Sequence, residues 1–187
     1  MIVFLVEDLS MRKFLEGILL RLGFESHHFR IKHHQGKEDL IRNLDKVVKK
    51  ESKEANFLFV LVDQDKRNCY EFKKEIKEKM QNCACNYKIR IACYELEAWF
   101  LGDMDAIKQC SQKFKPDFFR NKEKYRNIDS LPKPSSIIEE IVPDLKKIYS
   151  RKDKFASEIS KHINLESKVN KSHSFNVFLE TIKSIKV

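Results

Sequence analysis

The chain has 187 residues, of which 37 are Lys or Arg and 28 are Asp or Glu, for a formal charge of +9, and it holds only 4 Gly and 4 Pro. This length suits one domain with a real core and a small appended piece, and the charged, glycine-poor composition describes a helix-rich α/β protein. It excludes collagen-like and low-complexity chains, and no apolar run approaches the roughly 18–20 residues of a membrane helix.

In chain order, Ile2 to Val6 is wholly apolar, as in a parallel strand buried on both faces. Met11, Phe14, Leu15, Ile18, Leu19 and Leu22 then recur at helical spacing and stop at Gly23. Phe24 to Ile31 alternates loosely, which predicts an edge strand. Gly36 opens a second helix with Leu40, Ile41, Leu44, Val47 and Val48 on one face, ending in the charge run Lys49 to Glu54. Phe57 to Val62 reads as a central strand, Tyr70 to Gln81 as a helix with one wet side, and Tyr87 to Cys93 as a fourth strand leading into a helix with Glu95 to Leu101.

This βαβαβαβα order predicts a four-stranded, mostly parallel sheet with right-handed crossovers and helices on both faces. Beyond Asp103 the pattern loosens, and helices are expected over Ser135–Val142, Lys154–His162 and Phe175–Ile185. The charge is uneven: residues 1–105 carry 19 basic against 18 acidic side chains, and residues 106–187 carry 18 against 10. A basic half beside a neutral one is the footprint of a polyanion partner or a solvated surface.

Met1 runs straight into a strand pattern, without a charged leader and apolar h-region, so a cytosolic protein is expected and the five cysteines are read as reduced thiols. Cys83-Ala-Cys85, His27-His28 and His33-His34 lack the matched C-x₂₋₄-C pairs of a structural zinc site.

Two buried strands end in acids: Glu7 and Asp8 follow the first, Asp63 and Asp65 the third. In an open parallel sheet ligands bind beyond the carboxyl ends of the strands, where the strand order reverses. A 2-1-3-4 order would bring these acids to one rim. Clustered carboxylates repel one another unless a cation joins them, and Asp63 and Asp65, two apart in an extended segment, would share a face suited to Mg²⁺. Asp8 by itself reads as a turn and helix-start residue.

"VFLVED…MRKFLEGILLRLGF" resembles the opening of response-regulator receiver domains, with an acidic pair after the first strand and Asp63 in the place of the phosphorylated aspartate. The chain departs from them in having no Met-Pro turn after Asp63 and in carrying "IACYELEAW" where a receiver has a small hydroxyl residue. Glu7 with Asp63-Gln64-Asp65 resembles the signature of the Toprim family, the catalytic domain of bacterial primases, topoisomerases and the nuclease half of overcoming-lysogenization-defect proteins. Glu95-Leu96-Glu97-Ala98-Trp99, Pro132-Lys133 and Ser172-His173-Ser174-Phe175 extend the resemblance to small stand-alone bacterial Toprim-like proteins; Asp8 replaces the Gly usual after the first Glu.

The resemblance implies a Rossmann-like Toprim domain over residues 1–105 with a basic helical extension over 106–187. It implies metal-dependent phosphodiester chemistry on DNA or RNA, with one or two Mg²⁺ (or Mn²⁺) held by Glu7, Asp63 and Asp65, Glu7 alternatively acting as general acid or base. Glu95 and Glu97 are candidate catalytic or supporting residues. They lie about 200° apart around a helix, so both face one point only if the helix begins between them. Lys133, Arg151 and Lys154 are candidate phosphate contacts, His173 a candidate base, and Trp99 a core residue. The resemblance also implies an ABC- or SMC-like ATPase partner in an antiphage defence module. A non-catalytic, metal-holding module that docks on nucleic acid or on the ATPase is one alternative, and a receiver-like domain phosphorylated at Asp63 is the other.

Overall fold

The computed structural model describes residues 1–185. Four strands, β1 (Ile2–Val6), β2 (Phe29–His33), β3 (Phe57–Asp63) and β4 (Asn86–Ala92), form one parallel sheet in the order β2-β1-β3-β4. Val6 pairs with His33 on one side and Leu61 on the other, and Asp63 pairs with Ala92, so β1 and β3 end side by side. The 2-1-3-4 order, the one that would bring the acids to one rim, is the order observed.

The pleat of the strands sorts the core into two layers. Val3, Leu5, Leu58, Val60 and Val62 face α2 (Lys37–Glu51) and α3 (Cys69–Lys79). Ile2, Phe4, Val6, Phe59 and Leu61 face the other way, onto α1 (Leu9–Arg21), and share a cluster with apolar residues of the C-terminal half. That half supplies α4 (Glu97–Leu101), α5 (Met104–Cys110), α6 (Pro134–Ile141), α7 (Leu145–Ile148), α8 (Lys152–Ile159) and α9 (His173–Ser184). The buried apolar sides of α4, α5, α6, α8 and α9 complete the core over β1 and β3, while most of the basic residues beyond 106, among them Lys113, Arg120, Lys133 and Lys171, stand in the segments between helices.

Trp99 is fully buried, stacked on Phe178 at 4.8 Å and flanked by Phe14 and Phe175 at 6.0 and 5.3 Å, in keeping with its expected core role. Its indole Nε1 donates to Ser174 Oγ at 2.9 Å, and Asp129 accepts from Ser172 Oγ and from the Ser174 amide, both at 2.7 Å. The Glu-x-Glu-x-Trp and Ser-x-Ser-Phe motifs thus meet in one polar network that docks α9. Gly102 lies where Asn170 passes, and a Cβ built on it would stand 1.8 Å from Asn170 Oδ1 and 2.8 Å from the Ser172 amide.

Several boundaries differ from expectation. The second strand begins at Phe29, not Phe24, because Glu25 and His28 close a turn in which the His28 amide donates to Glu25 O at 2.9 Å. Phe24 instead packs into the core beneath α1. The second helix ends at Glu51, a buried carboxylate paired with Arg30 and Lys32 of β2. Helices α5 and α7 were not anticipated, since each is too short for a period to register. No helix among the described residues is long and apolar enough to cross a membrane.

Candidate active site

At the carboxyl edge of the sheet, Asp8 turns away to cap α1, its Oδ1 accepting from the Met11 amide at 2.8 Å, as its sequence position suggested. Glu7 reaches across to the neighbouring strand, where its Oε2 accepts from the Asp63 amide at 3.2 Å. The carboxylate of Asp63 points into the same cleft. Among the described residues its Oδ1 is buried and meets no hydrogen-bond donor.

Asp65 does not extend β3. The strand ends at Asp63, and Asp65 takes a left-handed conformation with φ of 52°, so the shared face expected from an extended Asp-x-Asp is replaced by a turn. Tyr94 beside it is also left-handed, φ 57°, and the Asp65 amide donates to Tyr94 O at 2.7 Å. Two side-by-side left-handed residues other than glycine are strain held in place by their surroundings, the kind that concentrates at functional sites. The Asp65 carboxylate pairs with Lys37, whose ammonium also lies 4.0 Å from Glu7 Oε2. Gly36, at φ 94°, starts α2 and donates its amide to Glu7 O at 3.0 Å, which sets Lys37 above the acids.

The helix after β4 begins at Glu97, with Leu96 at its cap, so Glu95 precedes it. This is the condition under which both glutamates can face one point, and both line the cleft. Glu95 Oε2 accepts from the Ser135 amide at 2.8 Å, tying the start of α6 to the rim, and Glu97 lies 3.6 Å from Lys152.

A cleft of about 180 Å³ results, lined by Glu7, Asp63, Asp65, Glu95, Glu97 and Lys152, with Asp8, Ser10 and Leu96 completing its wall. Burial, and then the charges of Glu7 and Glu97, hold Asp63 well above the usual carboxylate range. Burial likewise raises Glu7, against the pull of Lys37, and Glu97, against that of Lys152. The charge of Glu97 in turn raises Lys152. So many carboxylates beside two lysines leave an excess of negative charge, and all-oxygen donors with an unpartnered buried Oδ1 fit a hard divalent cation. Among the described residues no three His, Cys, Asp or Glu side chains converge tightly enough to hold an ion by themselves. Lysines engage Asp65 and Glu97 instead.

The other candidates lie at varying distances from the cleft. Lys133 is exposed in the left-handed residue before α6, two residues from the Ser135 amide that holds Glu95. Arg151 adjoins the cleft at Lys152 but pairs with Asp153. Lys154 is exposed on α8 and does not line the cleft, and His173 is exposed at the start of α9. Lys37, Lys152 and Asp129 were not singled out from the sequence. The one available signal was Lys37 directly after the helix-opening Gly36, whereas the other two stand in segments without a legible pattern.

The structure is similar to that of the C-terminal region of the Burkholderia pseudomallei OLD protein, with a TM-score of 0.58, 14% identity, and coverage of 97% of this chain and 96% of that one. At that identity the likeness is one of fold, an α/β arrangement on a four-stranded parallel sheet. A search of curated proteins returns no match to the chain. The family described as "Domain of unknown function (DUF4276)" matches residues 6–183, and this protein belongs to that family.

Proposed function

We propose that the cleft hydrolyses phosphodiester bonds of DNA or RNA with the aid of Mg²⁺, or of Mn²⁺ in its place. The observation that carries this reading is the buried, donor-free Oδ1 of Asp63 at the centre of a carboxylate cluster where β1 and β3 end together. A carboxylate with one oxygen buried and without a donor is costly to keep charged, and a cation relieves that cost.

Glu7, Asp63 and Asp65 would hold the ion once Lys37 releases Asp65 and the three acids draw together, with Glu95 and Glu97 as supporting acids. A bound divalent ion supplies Lewis acidity toward phosphate and lowers the pKa of a bound water. The lysines offer ammonium groups to phosphate oxygens, Lys37 once it exchanges Asp65 for substrate and Lys152 from the opposite wall. Glu97 keeps a proton to higher pH than an ordinary carboxylate does, which suits it to protonate a leaving oxygen, a role Glu7 could take only in place of holding the ion. Lys133, Arg151 and Lys154 would contact phosphates farther along the strand.

The strongly basic C-terminal half and the likeness in fold to part of an OLD protein support a nuclease of antiphage defence acting with an ATPase partner of ABC or SMC type. The pairing of Lys37 with Asp65 favours a second reading, a non-catalytic binding module whose acids are neutralised from within.

Incubation of plasmid, single-stranded DNA and tRNA with the protein and Mg²⁺, Mn²⁺ or chelator separates the two. Metal-dependent cleavage lost on Asp63→Ala is expected. Intact substrates under every condition, with the ATPase present as well as absent, would falsify the nuclease reading.

A further inference from the structure

A second hollow, of about 210 Å³, lies beside the carboxylate cleft and shares Glu97 and Lys152 with it. Its chemistry is different. Ile138, Leu145, Tyr149 and Phe155 form its walls, and Lys146 and Arg151 stand at its rim. We propose that this hollow receives the base of the nucleotide next to the phosphate bound in the carboxylate cleft, so that the substrate is nucleic acid single-stranded at that point. The proposal rests on the nuclease reading for the position of the phosphate.

Size limits the occupant. The volume falls below the roughly 300 Å³ at which pockets begin to enclose drug-sized ligands, so one ring system fits and a larger ligand does not. The walls suit a flat ring. Tyr149 is fixed at its far end, where its hydroxyl donates to Cys110 O at 3.1 Å, and its ring lies 5.3 Å from that of Phe155. A preset aromatic wall next to aliphatic side chains accepts the face of any base, the sequence-tolerant contact used by single-strand binders.

Charge completes the match. Lys152 stands between the two hollows, 3.6 Å from Glu97, where the backbone joining a base to its phosphate would pass. Lys146 pairs with Glu139 at 2.9 Å in an exposed pair, which contributes little and exchanges readily for a phosphate. Arg151 is itself exposed and holds the part-buried Asp153 by two bonds, at 2.7 and 2.9 Å, which fix its guanidinium at the rim. A base within a duplex would have to leave its stack to enter, which favours unpaired strands.

Fluorescence anisotropy of the full chain in chelator, with labelled single-stranded and duplex DNA and RNA, tests this without cleavage. Single strands should bind at least about tenfold more tightly than duplex, and moving one abasic nucleotide along the strand should weaken binding at one position by about tenfold. Tyr149→Ala should reproduce that loss and Tyr149→Phe should not. The abasic scan uses the unaltered protein, so it stands even if Tyr149→Ala disturbs α7.

Equal or tighter duplex binding, or a flat abasic scan, overturns the proposal. Metal-dependent cleavage combined with a flat scan would keep the nuclease and remove the base pocket. An abasic-sensitive single-strand complex with no cleavage in any metal would keep the pocket and remove the nuclease, and failure to bind any nucleic acid together with no cleavage in any metal would remove both.

Discussion

Glu7 Oε2 accepts the backbone N–H of Asp63 at 3.2 Å, so the acid that follows β1 is anchored on the last residue of β3. This bond lets a charged side chain reach into a half-buried rim, and it brings two carboxylates together with Lys37 as their nearest ammonium. Removing any of the three changes the electrostatic balance of the others.

Asp63→Asn should stabilise the metal-free protein at neutral pH. The folded-state pKa of Asp63 is raised, so its favourable contribution is complete below the ordinary carboxylate pKa of about 4 and is lost as pH rises through the folded value. Glu7 and Glu97 act in the same sense. Calorimetry in chelator should show the variant melting higher than the wild type at pH 7, by ~2–4 °C for each kcal/mol relieved, with the two converging near pH 3. Added Mg²⁺ should raise the melting temperature of the wild type and leave that of the variant nearly unchanged.

Lys37→Met should have the opposite effect. The Lys37 side chain is 9% exposed, and without its ammonium Glu7 and Asp65 lose their compensating charge. Because Asp65 is half exposed, the cost should fall below that of breaking a fully buried pair, at about 1–2 kcal/mol, as read by urea denaturation at pH 7. Near pH 3, with Glu7 protonated, the difference should shrink.

Gly102→Ala should destabilise the fold by about 2 kcal/mol or more. The new Cβ would overlap Asn170, whose Nδ2 donates to Trp99 O at 2.9 Å, and would also press on the Ser172 backbone, which cannot rotate away. Thermal melting checks this directly, and a variant as stable as the wild type would show that residues 170–172 have room to move.

Ser174→Ala leaves the Trp99 indole N–H without its acceptor inside the core. A cost of about 1–3 kcal/mol is expected. Since Trp99 is the only tryptophan, its fluorescence should shift with the loss of that bond while far-ultraviolet circular dichroism holds.

The strands of residues 2–6 and 57–63 were legible because both are apolar on two faces and end in acids, a pattern that only a central parallel strand tolerates. The acids of the site were legible for the same reason. Lys37 and Lys152 were not, because a lysine on a helix looks alike whether it faces water or a carboxylate from another element, and only the packing of α2 and α8 against the sheet edge distinguishes them.

By itself, then, the sequence determined which segments are strands and which of them end in acids, since periodicity is a local property of the chain, while the β2-β1-β3-β4 order that joins those acids at one rim is a matter of long-range pairing. Tertiary structure decided which charges meet. It turned Asp65 out of the strand toward Lys37, started α4 between Glu95 and Glu97, and laid the basic half over β1 and β3. These outcomes depend on contacts between residues far apart in the chain, where desolvation and distance govern, and no local pattern records either one.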